Sequence, residues 1–306
     1  MRILVLGHTG YLGGHVIERL RALDGVRPAG GGRSPASEFR ADLATADTGR
    51  LAEALADFSP DAVVNCVGAV GGDAVTLAEV NARGPAVLCA ALREAAPGAR
   101  LVHLGSAAEY GATEHGVRVT EAAPTRPVAP YGATKLAGTV AVTSSGLDAV
   151  VLRVGNPVGP GAPAQSLPGG TALRLRRAGT GEDAVVRFGD LSAYRDFIDV
   201  RDLAEAVALA TTAPGPLPRV LNISGGRAVP IRALVHGLVE ASGFRGRTEE
   251  AGTVGGSARS AGVDWQCSDI TAAGDALDWQ PRFRLTDSLG SLWSSVSSRP
   301  ELDPVP

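Results

Sequence analysis

Tyr131 and Lys135 are the residues of this sequence whose types and spacing indicate chemistry most directly. Lys135 lies in the segment PYGATKLAG (130–138) and is the only lysine, since every other residue among the 29 lysines and arginines is arginine. A spacing of four places both side chains on one face of a helix. An ammonium beside a phenol favours the phenolate, so Tyr131 is predicted to exchange a proton with a substrate oxygen near neutral pH. A surface lysine on an amphipathic helix is the alternative, and the general use of arginine weighs against it.

A glycine-rich turn, GHTGYLG, carries Gly7, Gly10 and Gly13. It lies between an apolar run at 3–6 and a helical pattern at 11–23. Glycines at such a strand-to-helix turn let the backbone approach a pyrophosphate, whose charge meets the helix N-terminus. The turn therefore predicts a dinucleotide site, with a mere tight turn as the alternative.

The segment AGGGRS (29–34) indicates which dinucleotide is bound. NAD sites usually carry an acidic residue after the second strand to hold the ribose hydroxyls, and this segment has none. Arg33 and Ser34 suit a 2′-phosphate instead, so NADP(H) is favoured and NAD(H) is possible. Arg33 could otherwise be solvated or stack on the adenine, and Asp42 is a predicted adenine contact.

Alternating strand and helix patterns must position these residues. Apolar runs predict strands at 3–6, 26–30, 62–67, 100–104 and 149–154, and helical periodicity predicts helices at 11–23, 51–58, 74–96 and 131–142. Strands that alternate with helices imply right-handed βαβ units and a parallel sheet. The fold class is therefore α/β, a Rossmann-type doubly wound parallel sheet with a smaller C-terminal substrate-binding lobe.

The pattern changes after residue 155. The stretch NPVGPGAPAQSLPGG (156–170) is rich in proline and glycine and is predicted to be a loop. Regular patterns return at 200–212, 220–223 and 231–241. We therefore predict a dinucleotide-binding domain at 1–155, to which the chain returns at about 193–223, and a substrate lobe formed by 156–192 and 224–306.

Composition narrows the class of partner. The net charge of −3 argues against nucleic acid or an anionic membrane as the main partner, and no apolar run is long enough to cross a bilayer. The N-terminus enters a strand directly and lacks a signal-peptide pattern, so a cytoplasmic location is expected. The three cysteines, Cys66, Cys89 and Cys267, show no metal-ligand spacing and are expected to be small apolar residues.

The glycine turn together with the YxxxK pattern resembles the extended short-chain dehydrogenase/reductases over nearly the whole chain. The resemblance implies that Tyr131 is the acid/base, that Lys135 holds the nicotinamide ribose, that Ser106 binds the reacting oxygen and that Asn81 is the family's helix asparagine. It also implies a homodimer formed through the helices that carry Tyr131 and Asn81. The implied cofactor contacts are Gly7, Thr9, Gly10, Tyr11, Leu12, Gly13, Arg33, Ser34, Asp42, Leu43, Cys66, Val67, Gly68, Tyr131 and Lys135.

Further motifs indicate the branch of this family. Ala107 and Ala108 occupy the two positions at which, by resemblance, sugar-nucleotide 4,6-dehydratases carry an Asp-Glu pair for water elimination. Alanine cannot transfer a proton, so a dehydratase is rejected. The segment GDLSAYRDFIDVRD (189–202) resembles that of sugar-nucleotide enzymes in which an arginine grips the diphosphate, here Arg195. Similarity to the GDP-4-keto-6-deoxymannose reductases adds Asn156 and, with more divergent neighbours, Arg259. The predicted substrate contacts are Ala107, Glu109, Asn156, Arg195 and Arg259.

Four hypotheses follow from these residues. The leading one is an NAD(P)H-dependent reductase of a nucleotide-activated 4-keto-6-deoxysugar. A sugar-nucleotide 4-epimerase shares every catalytic residue and retains NAD. A ketoreductase acting on a natural-product scaffold without a nucleotide would leave Arg195 structural, paired with Asp196, Asp199 or Asp202. A non-catalytic NADP sensor is disfavoured because the tyrosine–lysine pair is retained.

Overall fold

The computed structural model describes residues 1–250 and 262–298. The strands are β1 (Arg2–Leu6), β2 (Arg27–Gly32), β3 (Phe39–Arg40), β4 (Ala62–Asn65), β5 (Arg100–Ser106), β6 (Ala149–Val154), β7 (Asn156–Val158), β8 (Val185–Phe188), β9 (Tyr194–Asp199), β10 (Val220–Ile223), β11 (Ala228–Pro230) and β12 (Arg247–Glu250). The α-helices are α1 (Tyr11–Arg21), α2 (Thr48–Phe58), α3 (Ala74–Ala78), α4 (Gly84–Ala95), α5 (Pro130–Thr143), α6 (Leu167–Ala178), α7 (Val200–Thr212), α8 (Ile231–Ser242), α9 (Thr271–Leu277) and α10 (Leu285–Ser297).

The main sheet is parallel and has the strand order β10-β6-β5-β4-β1-β2-β3 within the described residues. The chain runs from β1 to β2 and β3 on one side and places β4, β5, β6 and β10 on the other. The strand order therefore reverses between β1 and β4, and ligands of such sheets bind beyond the carboxyl ends at this point. This architecture confirms the predicted Rossmann-type fold.

Alternating side chains of the central strands cover both faces of the sheet. Ile3 and Val5 pack with α1 and α7, while Leu4 and Leu6 pack with α2 and α4. Continuous apolar runs suit strands that are buried on both faces. A third core, between α6, α8 and α10, belongs to the smaller lobe.

The C-terminal segment divides between the two lobes. Ala273, Leu277 and Trp279 lie in the core under the main sheet, although the sequence analysis placed all of 224–306 in the substrate lobe. The predicted boundary is wrong here, because α9 packs beside β10 instead of on the lobe core. Leu289 and Leu292 of α10 return to the lobe core.

The stretch predicted to be a loop at 156–170 contains regular structure. β7 pairs with β9 in a small sheet with β11, and α6 begins at Leu167, where the Ser166 hydroxyl accepts the Gly169 amide at 3.1 Å. The strand escaped prediction because its hydrogen-bond partner lies about forty residues later. Proline is compatible with the first turn of α6, because the amides there lack helical partners.

The predicted helix at 74–96 is interrupted. α3 and α4 are joined by a π-helical turn at Glu79–Arg83, which contains Asn81. Single π-helical turns frequently occur at functional sites. None of the described helices is long and apolar enough to cross a membrane.

Candidate active site

The glycine turn forms a close backbone cradle at the end of β1. Gly7 adopts φ +80° and its amide donates to the Gly31 carbonyl at 2.8 Å. A Cβ at position 13 would lie 2.1 Å from the Gly7 carbonyl oxygen, so only glycine fits there. Thr9 and Gly10 are exposed, and no side chain caps the first amides of α1. Open amides at a helix N-terminus are the kind of site that could hold a pyrophosphate, and the predicted pyrophosphate contact stays a prediction.

The Tyr11 side chain packs on the core of the small lobe. Its Oη is buried without a partner in the described part of the chain. Burial raises the pKa of this phenol, and the nearby Asp199 carboxylate adds to the rise. If Tyr11 contacts the cofactor as predicted, its backbone amide would make the contact. Leu12, the next predicted contact, packs against the core beneath the sheet.

The turn after β2 presents Arg33 to solvent and Ser34 half-buried. The Ser34 hydroxyl accepts the Ala36 amide at 3.2 Å, which shapes the turn. An acid that the sequence analysis passed over, Glu38, lies nearby, and its Oε1 accepts the Gly30 amide at 3.1 Å. This hydrogen bond places the Glu38 carboxylate beside β2, at a residue that lies two positions before the strand ends at Gly32.

The predicted adenine segment is held against the π-helical turn. Asp42 Oδ1 accepts the Ala44 amide at 3.1 Å, and Leu43 is buried. Arg83 donates to the Ala44 carbonyl at 2.8 Å and to the Ala46 carbonyl at 2.9 Å. Arg83 was missed by sequence reasoning because carbonyl partners leave no trace in the side-chain pattern.

Lys135 is buried with 4% of its surface exposed, so the surface-lysine alternative is wrong. Its Nζ donates to the Leu104 carbonyl at the end of β5. Burial lowers the pKa of this ammonium to about 8, and the charge of Glu109 opposes the decrease. A Cβ at Gly68 would lie 3.8 Å from Nζ and 3.5 Å from Asn81 Oδ1, which places Asn81, Lys135 and the end of β4 together.

Tyr131 and Ser106 are brought together by a glycine. A Cβ at Gly132 would lie 2.5 Å from the Ala108 carbonyl oxygen, so the first turn of α5 rests directly on the turn that follows Ser106. Ser106 is the last residue of β5, and its Oγ accepts the Ala108 amide at 3.2 Å. Tyr131 is half-buried. Ser106, Tyr131 and Lys135 thus share one wall at the carboxyl edge of the sheet.

Asn81 fixes the segment that follows β4. Its Oδ1 accepts the Ala69 amide at 2.9 Å, and its Nδ2 donates to the Ala69 carbonyl at 2.9 Å. α5 also approaches its backbone closely, since a Cβ at Gly138 would lie 2.2 Å from the Asn81 carbonyl oxygen. The predicted cofactor segment Cys66, Val67 and Gly68 is therefore held between Asn65 and Ala69. The Val67 amide donates to Asn65 Oδ1 at 3.1 Å, and loss of solvent raises the pKa of the Cys66 thiol to about 12.

His103 lies beneath this wall and was missed by sequence reasoning. It is fully buried, and its Nδ1 lies 3.1 Å from Asn65 Nδ2. Burial and the Lys135 charge hold its pKa well below the usual 6.5. The imidazole is therefore neutral and accepts the Asn65 amide through Nδ1.

Glu109, a predicted substrate contact, is engaged entirely by other parts of this chain. The residue is 0% exposed. One carboxylate oxygen accepts the Ser106 amide at 2.8 Å and the other accepts Arg153 Nε at 2.9 Å. Ala107, the neighbouring predicted contact, is also buried, at 2% exposure.

Arg195 and Asn156 lie on adjacent strands of the small sheet, β9 and β7. Arg195 is buried, donates to the Tyr194 carbonyl at 2.7 Å, and has a pKa lowered by burial against the opposing charge of Asp264. Asn156 Nδ2 donates to Gln266 Oε1 at 2.7 Å. Arg259 lies outside the described residues.

The carboxylates proposed as structural partners of Arg195 are engaged elsewhere. Asp196 accepts the Ser268 amide at 2.9 Å, Asp199 pairs with Arg201 at 2.8 Å and Asp202 accepts the Phe283 amide at 3.0 Å. No ion pair joins Arg195 to any of them within the described residues. In that same part of the chain, no group of three His, Cys, Asp or Glu side chains could hold a metal ion.

Comparison with known proteins identifies the family of this chain. The family described as "NAD dependent epimerase/dehydratase family" matches residues 3–224. A dTDP-6-deoxy-L-talose 4-dehydrogenase (NAD(P)(+)) from Kitasatospora kifunensis is 36% identical over 98% of this chain and 96% of the relative. A UDP-glucose 4-epimerase from Azospirillum brasilense is 32% identical over 79% of this chain and 78% of the relative.

Among solved structures, RMD from Pseudomonas aeruginosa complexed with NADPH has a TM-score of 0.83 at 23% identity, covering 97% of this chain and 99% of that one. This similarity shows a shared fold. The matched family and the relative similar over almost the whole chain also agree with the resemblance seen in the glycine turn and the YxxxK pattern. The chain therefore belongs to the NAD dependent epimerase/dehydratase family and is an NAD(P)-dependent enzyme of the extended short-chain dehydrogenase/reductase type.

Proposed function

We propose that this enzyme reduces the C4 keto group of a nucleotide-activated 4-keto-6-deoxysugar with NADPH. The observation that carries the proposal is the shared wall formed by Ser106, Tyr131 and the buried Lys135 at the carboxyl ends of β4 and β5. The similarity to a dTDP-6-deoxy-L-talose 4-dehydrogenase over 98% of the chain supports this substrate class and favours thymidine diphosphate as the nucleotide.

The side chains divide the work of the reduction. Tyr131 donates its phenolic proton to the sugar oxygen, and the Ser106 hydroxyl hydrogen-bonds the same oxygen and keeps it in reach. A reduced nicotinamide bound at this wall would supply the hydride for C4, and with the proton from Tyr131 the product would be a secondary alcohol. The Lys135 ammonium stabilises the phenolate that remains on Tyr131. With a pKa of about 8, this ammonium is mostly charged at neutral pH.

Arg195 is proposed to bind the diphosphate, with Asn156 toward the sugar. Support comes from the guanidinium's lack of a carboxylate partner among Asp196, Asp199 and Asp202, whose oxygens bind elsewhere. A guanidinium binds two phosphate oxygens at once, and an anionic ligand would offset the cost of burying its charge.

NADP(H) is the proposed cofactor, with NAD(H) second. Arg33 is exposed beside the end of β2, where a 2′-phosphate would lie, and Glu38 is bound to the Gly30 amide. The dehydrogenase relative carries NAD(P)(+) in its name.

A 4-epimerase is the second candidate, because a UDP-glucose 4-epimerase is 32% identical over 79% of this chain. The same catalytic residues serve both reactions, so kinetics must separate them. We would mix the purified protein with NADPH or NADH and a panel of 4-keto-6-deoxy sugar nucleotides. Stoichiometric loss of reduced-nicotinamide absorbance supports the reductase. Absence of loss, with NAD released on denaturation, supports the epimerase.

Replacing Tyr131 by phenylalanine tests the proposed acid. Tyr131→Phe should abolish turnover, because phenylalanine has no proton to donate. NADPH should still bind to the variant, with the same change in protein or NADPH fluorescence as in the parent. Near-normal turnover by this variant would contradict the mechanism.

A further inference from the structure

We propose that Glu109 and Arg153 form a buried positioning pair for Ser106, in which Glu109 fixes the serine through its backbone amide and Arg153 fixes Glu109. The inference rests on the proposed function, since it concerns the residue that would hold the reacting oxygen. Neither side chain is expected to touch the substrate.

Glu109 and Ser106 bind each other across one short turn. Glu109 Oε1 accepts the Ser106 amide at 2.8 Å, while Ser106 Oγ accepts the Ala108 amide at 3.2 Å. The two contacts fix both the backbone and the side chain of Ser106 at the end of β5. A serine hydroxyl has one proton and two lone pairs. Because the Ala108 amide occupies a lone pair, the hydroxyl proton remains available for a substrate oxygen.

Arg153 holds the carboxylate from the neighbouring strand, β6. Its Nε donates to Glu109 Oε2 at 2.9 Å, with 6% of the arginine side chain and none of the glutamate side chain exposed. The guanidinium carbon also lies 4.6 Å from the centre of the Tyr110 ring. A Cβ at Gly105 would lie 2.7 Å from Glu109 Oε1, so glycine leaves the room that the carboxylate occupies. The carboxylate is therefore held from both sides.

The same carboxylate acts on a second member of the wall. Burial lowers the pKa of the Lys135 ammonium, and the charge of Glu109 is the largest influence that raises this pKa again. Loss of the carboxylate would thus affect both the geometry of Ser106 and the ionisation of Lys135.

A role in stability alone makes a different prediction. Replacing a buried ion pair by apolar residues of similar volume is often neutral or stabilising, whereas removing one partner is strongly destabilising. Paired replacements therefore test positioning without leaving either member of the ion pair as an unpaired buried charge, and both double variants lose the Glu109 charge near Lys135 equally. E109Q/R153M keeps an amide oxygen that can accept the Ser106 amide, and E109L/R153M removes every acceptor at position 109.

The experiment compares these two double variants in the parent and in a Ser106→Ala background, with NADPH and the keto sugar nucleotide. Complete loss of one hydrogen-bond donor to a reacting oxygen lowers kcat about a hundredfold or more. A misplaced donor should cost part of that, so we expect kcat of E109Q/R153M to exceed that of E109L/R153M by about tenfold or more. KM should differ little between the two, whereas E109L/R153M should have the lower thermal midpoint because its Ser106 amide has lost its acceptor. In the Ser106→Ala background the difference in kcat should vanish. An equal difference in both backgrounds, or none in the parent, would overturn the proposal.

A second readout does not depend on the substrate. In protein labelled with ¹⁵N-serine, the Ser106 amide should exchange hydrogen slowly in the parent and in E109Q/R153M, and faster in E109L/R153M. Equal exchange in all three would overturn the positioning role. If the parent reduces none of the keto sugar nucleotides, the proposed function fails, while amide exchange still decides whether Glu109 holds Ser106.

Discussion

Replacement of Lys135 by methionine should stabilise the cofactor-free protein at neutral pH while it abolishes catalysis. The ammonium is 4% exposed, and its pKa falls from 10.5 to about 8 on folding. The unfolded chain therefore binds the proton more tightly than the folded protein does. Below pH 8 the group is ionised in both states and the full cost of its burial is present.

The magnitude follows from the two pKa values. At about 1.4 kcal/mol per pH unit, the decrease from 10.5 to about 8 costs the folded state about 3 kcal/mol at pH 7. Methionine is a flexible apolar side chain of similar length that avoids this cost. The variant also loses the hydrogen bond to the Leu104 carbonyl, which lowers its stability by about 1 kcal/mol. Lys135→Met should therefore raise the free energy of unfolding by about 2 kcal/mol at pH 7.

The sign of the pH dependence is also fixed. As pH rises through 8 toward 10.5, the folded lysine loses its proton first, so the parent gains stability and the advantage of the variant declines. Urea unfolding of both cofactor-free proteins at pH 7, 8.5 and 10 measures this difference, in which other titrating groups cancel. A variant that is no more stable than the parent at pH 7, or a difference that is constant with pH, would refute the reasoning.

The single lysine allows a direct measurement of the same quantity. Protein grown with ¹³C-lysine gives one Cε resonance, because Lys135 is the only lysine in the sequence. Its chemical shift should titrate with a midpoint near pH 8. A midpoint at the ordinary 10.5 would show that the ammonium is solvated in solution.

Three further outcomes are expected. Gly13→Ala should lose NADPH binding, because its Cβ would lie 2.1 Å from the Gly7 carbonyl oxygen. The control Gly14→Ala should still bind NADPH, since its Cβ would lie 3.7 Å from its nearest neighbour. Equal NADPH affinities of the two variants in a fluorescence titration would contradict the role of the glycine turn. Arg33→Ala should raise KM for NADPH more than KM for NADH, and a uniform rise would show that Arg33 does not contact a 2′-phosphate. Light scattering should give the mass of a dimer for the parent, and a lower mass for Val140→Glu, since Val140 is 55% exposed on the helix implied to form the interface; a monomeric parent would contradict the dimer.

The elements of the nucleotide half could be predicted because their signals are local. β6, α7 and β10 match the predicted ranges residue for residue. Each strand is a continuous apolar run, and the order of strands and helices restricts the topology. β7 and β11 could not be found in this way, since they are three residues long and are stabilised by pairing with β9.

The placement of Ser106 and Tyr131 at one edge of the sheet could be predicted better than the contacts that support them. Ser106 and Tyr131 belong to motifs that are visible in the sequence, and parallel strands bring such motifs to one edge of the sheet. Glu109 was assigned to the substrate because its position beside Ser106 is visible, while its ion-pair partner lies 44 residues later on the adjacent strand. The role of a buried carboxylate depends on what surrounds it, and a linear pattern does not contain that information.

The burial of Lys135 explains why a chain rich in arginine uses lysine at this position. The described contacts offer the ammonium the Leu104 carbonyl and the charge of Glu109, whose two oxygens already bind Ser106 and Arg153. A guanidinium has five N–H donors in a rigid plane, and several would remain unsatisfied in this space. Buried donors without partners cost about 1–3 kcal/mol each. A compact ammonium has three donors and needs fewer partners, so it fits this space, and the proposed mechanism assigns its remaining donors to the cofactor ribose.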